Sequence, residues 1–263
     1  MTMMNLTICN PTAKDMCLFL ADYAGWLFSS GATCIRLEKN VGRIAEVAGM
    51  TVELAIMPRH IHLTVNDAAT GEIFTSIATI VERPISYDIN TRLSRLSWDI
   101  ADRKIGIVDG MRMFKEIVAM PGSNPTVTLL LASVANASFC RLFGGDIAAM
   151  AVVLVATMAG FYLKQQLSAR KVDFRLTVVA SSFVSAVLAA ADGLFQLGAT
   201  PDISIGTSVL YLVPGIPFIN SFCDMIDRHY VCAMSRFMNA SVITCCLSVG
   251  LFVGMMLMNV GMF

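Results

Sequence analysis

Charge is what this sequence has least of. Only 38 of its 263 residues are Asp, Glu, Lys or Arg, or 14%, against roughly 25% in a soluble domain. The shortage is uneven: residues 1–124 hold 25 of these side chains and residues 125–263 hold the other 13. The two signs cancel to a net charge of zero, so no basic balance points to nucleic acid as a partner. C-x-x-C pairs are absent. The eight cysteines are scattered, several of them in apolar stretches, which reads as buried free thiols and not as a disulfide framework. There is no G-x-x-x-x-G-K-[ST] phosphate loop and no G-x-S-x-G elbow. ATP-driven transport by this chain is therefore disfavoured, and no catalytic residue, cofactor or metal is expected. His60 and His62, with Asp67 nearby, are too few to make a metal site, and a solvated strand explains them.

Apolar residues are abundant: 56% of the chain is hydrophobic and the mean hydropathy is +0.68. The early run "MCLFLADYAGWLF" (16–28) is interrupted by Asp22 and is too short to span a bilayer. It reads as a buried or interfacial helix kept in the mature protein, not as a signal peptide. Five later segments, about 125–143, 146–163, 174–198, 204–223 and 234–260, approach or exceed the ~20 residues that a ~30 Å hydrocarbon core requires. The expected architecture is an α+β cytosolic domain over residues 1–122, followed by a domain of about five transmembrane helices over 123–263.

Orientation follows from the basic residues. Lys164, Arg170, Lys171 and Arg175 lie around the second-to-third connection, Arg228 and Arg236 around the fourth-to-fifth, and Arg112 and Lys115 precede the first span. The turns "GGD" and "GATPD" carry no Lys or Arg. The positive-inside rule then puts the N-terminal half in the cytoplasm and, after five crossings, the C-terminus outside.

Within the soluble half, helices are expected at 11–29 and 33–48. Strands are expected at 51–58, 60–67 and 73–81, where apolar and polar residues alternate, and further helices at 88–104 and 109–120.

The polar residues inside the spans are the functional clue. Thr177, Ser181, Ser185, Asp192 and Gln196 fall on one helical stripe, which faces a bundle interior or a water-filled cavity and not lipid. Two readings of Asp192 stand: an ion pair with Arg141 or a snorkelling side chain, and a lining residue of a substrate path. In the fourth segment, "VPGIPFIN" places Pro214, Gly215 and Pro217 inside an apolar run, with Asn220 and Asp224 following on nearly one face. Proline removes a backbone donor and disrupts the preceding turn. Freed carbonyls in a bilayer are tolerated only where protein or water meets them, and transporters build substrate sites from such broken helices. The alternative is a plain kink with no ligand.

These same residues carry a resemblance. "LVPGIPFINSFCDMIDRHYVCAMSRF" is similar to the signature of the threonine/serine exporter family: a P-G-x-P-x-I-N run, an acid after it, then an Arg-bearing helix start. "SFCRLFGGDIAAM" resembles the family's junction of first and second spans, "FYLKQQL" the end of its second span, and "SSGATCIRLEKNVGRIAEVAG" its opening soluble helix. The family has a fused layout, and a split one that pairs a longer subunit with a short membrane-only companion. A chain of this length resembles the longer subunit of the split form. The resemblance implies a two-component inner-membrane exporter of succinate-like dicarboxylates, whereas the fused form implies threonine and serine. It also implies a homo- or hetero-oligomer in the bacterial cytoplasmic membrane. It singles out Pro214, Gly215, Pro217, Asn220 and Asp224, together with Arg141 and the outer-turn residues Gly144, Gly145 and Asp146. Asp192 has no counterpart in that pattern.

Three classes of function remain. The first is an exporter subunit for organic acids or, in second place, for small neutral amino acids. The second is a membrane enzyme built on Asp192, Asp224 and Asp227, which the expected separation of these acids across the membrane opposes. The third is a regulatory or scaffold subunit with the pore in its partner.

Overall fold

The computed structural model describes residues 11–81 and 83–259. Cys9, and the last four residues expected outside the membrane, lie outside them. The chain divides into two compact units. One runs to Pro121 and takes in Ile216–Phe237; the other comprises Gly122–Gly215 and the residues from Met238 onward.

The first unit is α+β. Helix α1 (Ala13–Ser29) starts at a capping box in which Thr12 and Asp15 satisfy each other's backbone amides. Its apolar run is the heart of a core and not a span: Met16, Leu20, Tyr23, Ala24 and Leu27 are fully buried, while the interrupting Asp22 is exposed. Helix α2 (Cys34–Val47) contributes Leu37, Val41 and Ile44. Strands β1 (Met50–Ile56), β2 (His60–Asp67) and β3 (Ile73–Thr79) form an antiparallel meander in that order, pairing Met50 with Asp67 and His60 with Thr79. Alternation along β2 decides its faces. Ile61, Leu63 and Val65 are buried, whereas His60 and His62 are exposed. Asp67 is engaged in the β2–β3 turn, where it accepts from Ala69 N and Thr70 Oγ1, each at 2.9 Å. Helices α3 (Tyr87–Ala101) and α4 (Ile107–Ala119) close the core with Leu93, Leu96, Ile100, Phe114 and Ile117. Every element expected in the soluble half is present to within a few residues.

The second unit is helical. Helix α5 (Pro125–Leu142) begins with Asn124 capping and Pro125 in the first turn. Helix α6 (Ile147–Ala169) follows a tight turn, and α7 (Phe174–Ala189) continues into the short α8 (Ala191–Phe195). The third segment stops short of residue 198 because Gln196 adopts a left-handed conformation, φ 50°, which ends α8. Helix α9 (Pro201–Ser208) leads into a 3-10 turn at Leu210–Leu212, and a new helix, α10, starts at Gly215 and runs to Ile226. Helix α11 (Tyr230–Leu257) is the last helix of the described residues. Among the described residues, four helices or helix pairs are long and apolar enough to cross a membrane. A fifth span is reached if the bent pair Pro201–Leu212 and Gly215–Ile226 counts as one. Large apolar side chains such as Leu131, Ile147, Val155, Leu176, Met256 and Leu257 are exposed on these helices, as expected of a surface solvated by lipid.

Small residues set the helix spacing. Gly250 and Gly254 on α11 form a G-x-x-x-G face. A side chain at Gly250 would meet Ser182 Oγ and the Val179 carbonyl, and one at Gly254 would meet Ala186. Ser182 Oγ donates to Leu247 O at 2.7 Å across the same contact.

Candidate transport site

The polar centre of the second unit lies at the break in the fourth apolar segment. A helix leaves its last carbonyls without intrahelical partners. At the end of α9 the cap is poor: the Val209 amide reaches back only to Thr207 O, and Thr207 O and Ser208 O face the neighbouring helices. Asn136 Nδ2, from the middle of α5, donates to Thr207 O at 3.0 Å and approaches Ser208 O at 3.5 Å, and it lies 2.6 Å from Thr157 Oγ1 on α6. Asn136 is 3% exposed, so without these partners its amide would carry the full cost of burial. The hydroxyls of Thr207 and Ser208 turn back to Ile203 O (2.6 Å) and Ile205 O (2.8 Å).

A second cluster adjoins the first along α6. Ser185 Oγ on α7 donates to Ala156 O at 3.1 Å and lies 3.0 Å from Tyr211 Oη, which in turn donates to Ser181 O at 3.4 Å. Gly160 keeps this contact close, because a side chain there would occupy the positions of Ser185 Oγ and Tyr211 Oη. Ser181 Oγ is buried and has no partner among the described residues. Thr157, Ala156 and Gly160 share a face of α6, so the two clusters make one layer. Every side chain in it is neutral: Asn136, Thr157, Ser181, Ser185 and Tyr211.

Asp192 is fully buried and receives the Ser204 hydroxyl on Oδ2; its Oδ1 has no partner among the described residues. Arg141 is not its counterion. Arg141 Nη1 donates to Gly145 O at 3.1 Å within its own turn, and among the described residues the two form no ion pair. Thr177, Ser181, Ser185 and Asp192 are buried together, but Gln196 leaves the stripe at its left-handed position and is exposed.

The G-G-D turn is a staple between turns. Gly144 has φ 93°, a conformation that glycine adopts without strain, and a side chain at Gly145 would strike Cys140. Asp146 caps α6 through Ala149 N (2.7 Å) and also accepts Ala199 N (2.6 Å), while its own amide donates to Thr200 Oγ1. These amides hold its carboxyl below the usual Asp range.

The proline motif serves the start of α10. Pro214 sits in the break, Gly215 is the first helical residue, and Pro217 falls in the first turn, where amides lack intrahelical acceptors anyway. Gly215 has open space around it. Asn220 and Asp224 then act within the first unit. Asn220 Nδ2 donates to Gly31 O at 2.9 Å. Asp224 Oδ1 accepts Cys34 N at 2.8 Å, and its Oδ2 lies 3.2 Å from Arg236 Nη1. Arg236 Nη2 donates to Ala32 O at 2.8 Å and its guanidinium lies 4.4 Å from the Phe28 ring centre. All three side chains grip the α1–α2 turn. Thr33 makes no side-chain cap on α2, and the carboxylate of Asp224 supplies the acceptor and the negative charge a helix start favours. The Cys34 thiol is pushed well up by its hydrogen bond with Cys232 and by burial.

Sequence reasoning did not single out Asn136, Thr157, Ser204 and Tyr211, and used Arg236 for orientation and as part of the resemblance without giving it a partner. For Asn136 a signal existed, since a lone amide in an apolar run must find partners. For Thr157, Ser204 and Tyr211 the residue type gave none.

A family profile described as "Putative threonine/serine exporter" matches residues 18–258. The chain is 27% identical over 235 residues to a "Probable succinate transporter subunit YjjP" of Klebsiella aerogenes, covering 88% of this chain and 89% of that protein. It is also 27% identical over 231 residues to the protein of the same description from Escherichia coli K12, covering 86% and 88%. No solved structure matches. With a family match across nearly its whole length, a broken apolar segment and four to five candidate spans, the chain is a multi-pass membrane protein that belongs to the threonine/serine exporter family.

Proposed function

We propose that this chain is the longer subunit of a secondary exporter in the bacterial inner membrane. It acts with a short membrane-only companion and moves small organic acids of the succinate class. Its N-terminal domain faces the cytoplasm and its C-terminus faces outside, as the distribution of Lys and Arg suggests. Export, and not catalysis, is the reading that family membership and the two succinate-transporter relatives favour.

The carrying observation is the polar layer where α9 ends at Ser208, just before the break. Two backbone carbonyls, an asparagine amide, three hydroxyls and a tyrosine meet there inside an apolar bundle. A buried polar layer of this kind is costly in a membrane, and donor and acceptor groups that a passing cargo could borrow give it a use. In this reading Ser181 and Ser185 line the path. Pro214, Gly215 and Pro217 create the break, Gly144, Gly145 and Asp146 brace the turn, and Asn220 and Asp224 fix the α1–α2 turn instead of meeting cargo. Asp192, with one free carboxylate oxygen, is the candidate proton carrier.

One observation favours a second cargo. The layer holds no cation, and Arg141 is committed to its own turn, so a small neutral amino acid such as threonine or serine would meet no uncompensated charge. The test is efflux from proteoliposomes that contain this chain and its companion, preloaded with labelled succinate or threonine. Succinate efflux above empty vesicles is the expected result, threonine efflux alone would select the second cargo, and neither would remove the proposal.

A further inference from the structure

We infer that the first unit carries a separate binding site for a small free anion with two acidic groups, in the groove between α2 and α3. The groove encloses about 450 Å3 and is lined by Thr33, Arg36, Lys39, Asn40, Arg43 and Ser94, among others. Arg36, Lys39 and Arg43 are spaced i, i+3 and i+7, which puts them on one face of α2. Among the described residues none of the three has a carboxylate within ion-pair distance, although the exposed acids and bases elsewhere in this unit do pair, as Arg92 does with Asp88 and Arg112 with Asp109. Three cations without a counterion repel one another, and a bound anion removes that repulsion.

Two of the cations are held in place. Arg36 Nη1 donates to Asn90 Oδ1 at 3.0 Å. Arg43 Nη1 donates to Asn40 Oδ1 at 3.1 Å and Ser97 Oγ at 2.6 Å, and its guanidinium lies 3.5 Å from the Trp98 ring centre. Asn40 Nδ2 bonds Ser94 Oγ across the groove at 3.2 Å. Each guanidinium keeps further N–H donors for a ligand, and planar guanidinium donors fixed in this way suit carboxylate or phosphate oxygens. The volume suits a small molecule. The lining offers hydroxyls and an amide beside the charges, and of its two apolar members, Ile35 and Trp98, the latter is stacked under Arg43. If the exporter reading holds, the cargo acid itself is a fitting occupant, and a cytosolic site of this kind would report its concentration.

The test is calorimetric titration of the full chain in neutral detergent at low salt with succinate, inorganic phosphate and, as the uncharged control, succinamide. Succinate or phosphate should bind, with at least a tenfold loss in Arg36→Gln/Lys39→Gln, while Lys39→Arg keeps wild-type affinity; succinamide should not bind. Both substituted residues are exposed, so folding is checked by an unchanged melting temperature. Unchanged anion affinity in the double variant, or no anion binding to the wild-type chain, would overturn the inference. So would binding only to vesicles containing phosphatidylglycerol. Efflux measured on the double variant separates the two proposals: a chain that still exports but has lost anion binding keeps both, and a chain that binds but never exports leaves the groove standing without the exporter reading.

Discussion

The carboxylate of Asp224 and the guanidinium of Arg236 lie 3.2 Å apart, an ion pair not aligned as a hydrogen bond, with Asp224 fully buried and the Arg236 side chain 16% exposed. The acid that follows the P-G-x-P-x-I-N run is thus bound to a basic residue of the next helix, and both act on the turn between α1 and α2. Breaking a buried pair from one side strands the other charge, at a cost of about 3–5 kcal/mol. Asp224→Ala or Arg236→Ala should each lower the melting temperature of the purified chain by several degrees. The double substitution should cost clearly less than the sum of the two. Strict additivity would show that the two residues do not act together.

Helix spacing in the second unit depends on glycines with no room for a methyl group. Gly250→Ala would push against the Val179 carbonyl, and Gly160→Ala against Ser185, Tyr211 and the Ser181 carbonyl. Overpacking of this kind costs about 1–3 kcal/mol. Gly215→Ala, with open space around it, should melt close to wild type. Equal melting temperatures for Gly160→Ala and Gly215→Ala would argue against the described packing.

Much of the fold was legible because the periods are strong. Ile61, Leu63 and Val65 alternate with His60, His62 and Thr64, and that alone orients β2. The break at Val213–Pro214 follows from proline's missing donor. The roles of Asn220 and Asp224 were not legible. Their partners Gly31 and Cys34 lie about 190 positions away in the chain, and no local pattern encodes such a contact; spacing placed the two residues on one face without saying what that face touches. Gln196 was misplaced because a stripe drawn on an ideal helix cannot anticipate a left-handed residue that ends it. Tyr211 and Ser204 were invisible for another reason: a hydroxyl in an apolar run can bond its own helix, as Thr207 does with Ile203 O.

Acid sensitivity should trace to the G-G-D turn. The carboxyl of Asp146 is held below its ordinary value by the Ala149 and Ala199 amides. A depressed carboxyl stabilises the fold fully above the ordinary Asp value of about 3.9, and that contribution is lost as pH falls through the lower folded value. Asp146→Asn should therefore reduce stability at neutral pH and flatten its decline between about pH 5 and the acid limit. Thermal melts of both proteins across that range check the sign, and parallel curves would contradict it.

The account stands or falls on the neutral layer at the end of α9, and labelled-cargo efflux from proteoliposomes holding the companion subunit tests it most directly. Tyr211→Phe and Asn136→Ala should each reduce efflux at least about tenfold, equivalent to about 1.4 kcal/mol, while the chain still inserts and assembles. Wild-type efflux from both variants would contradict the claim that cargo passes the break.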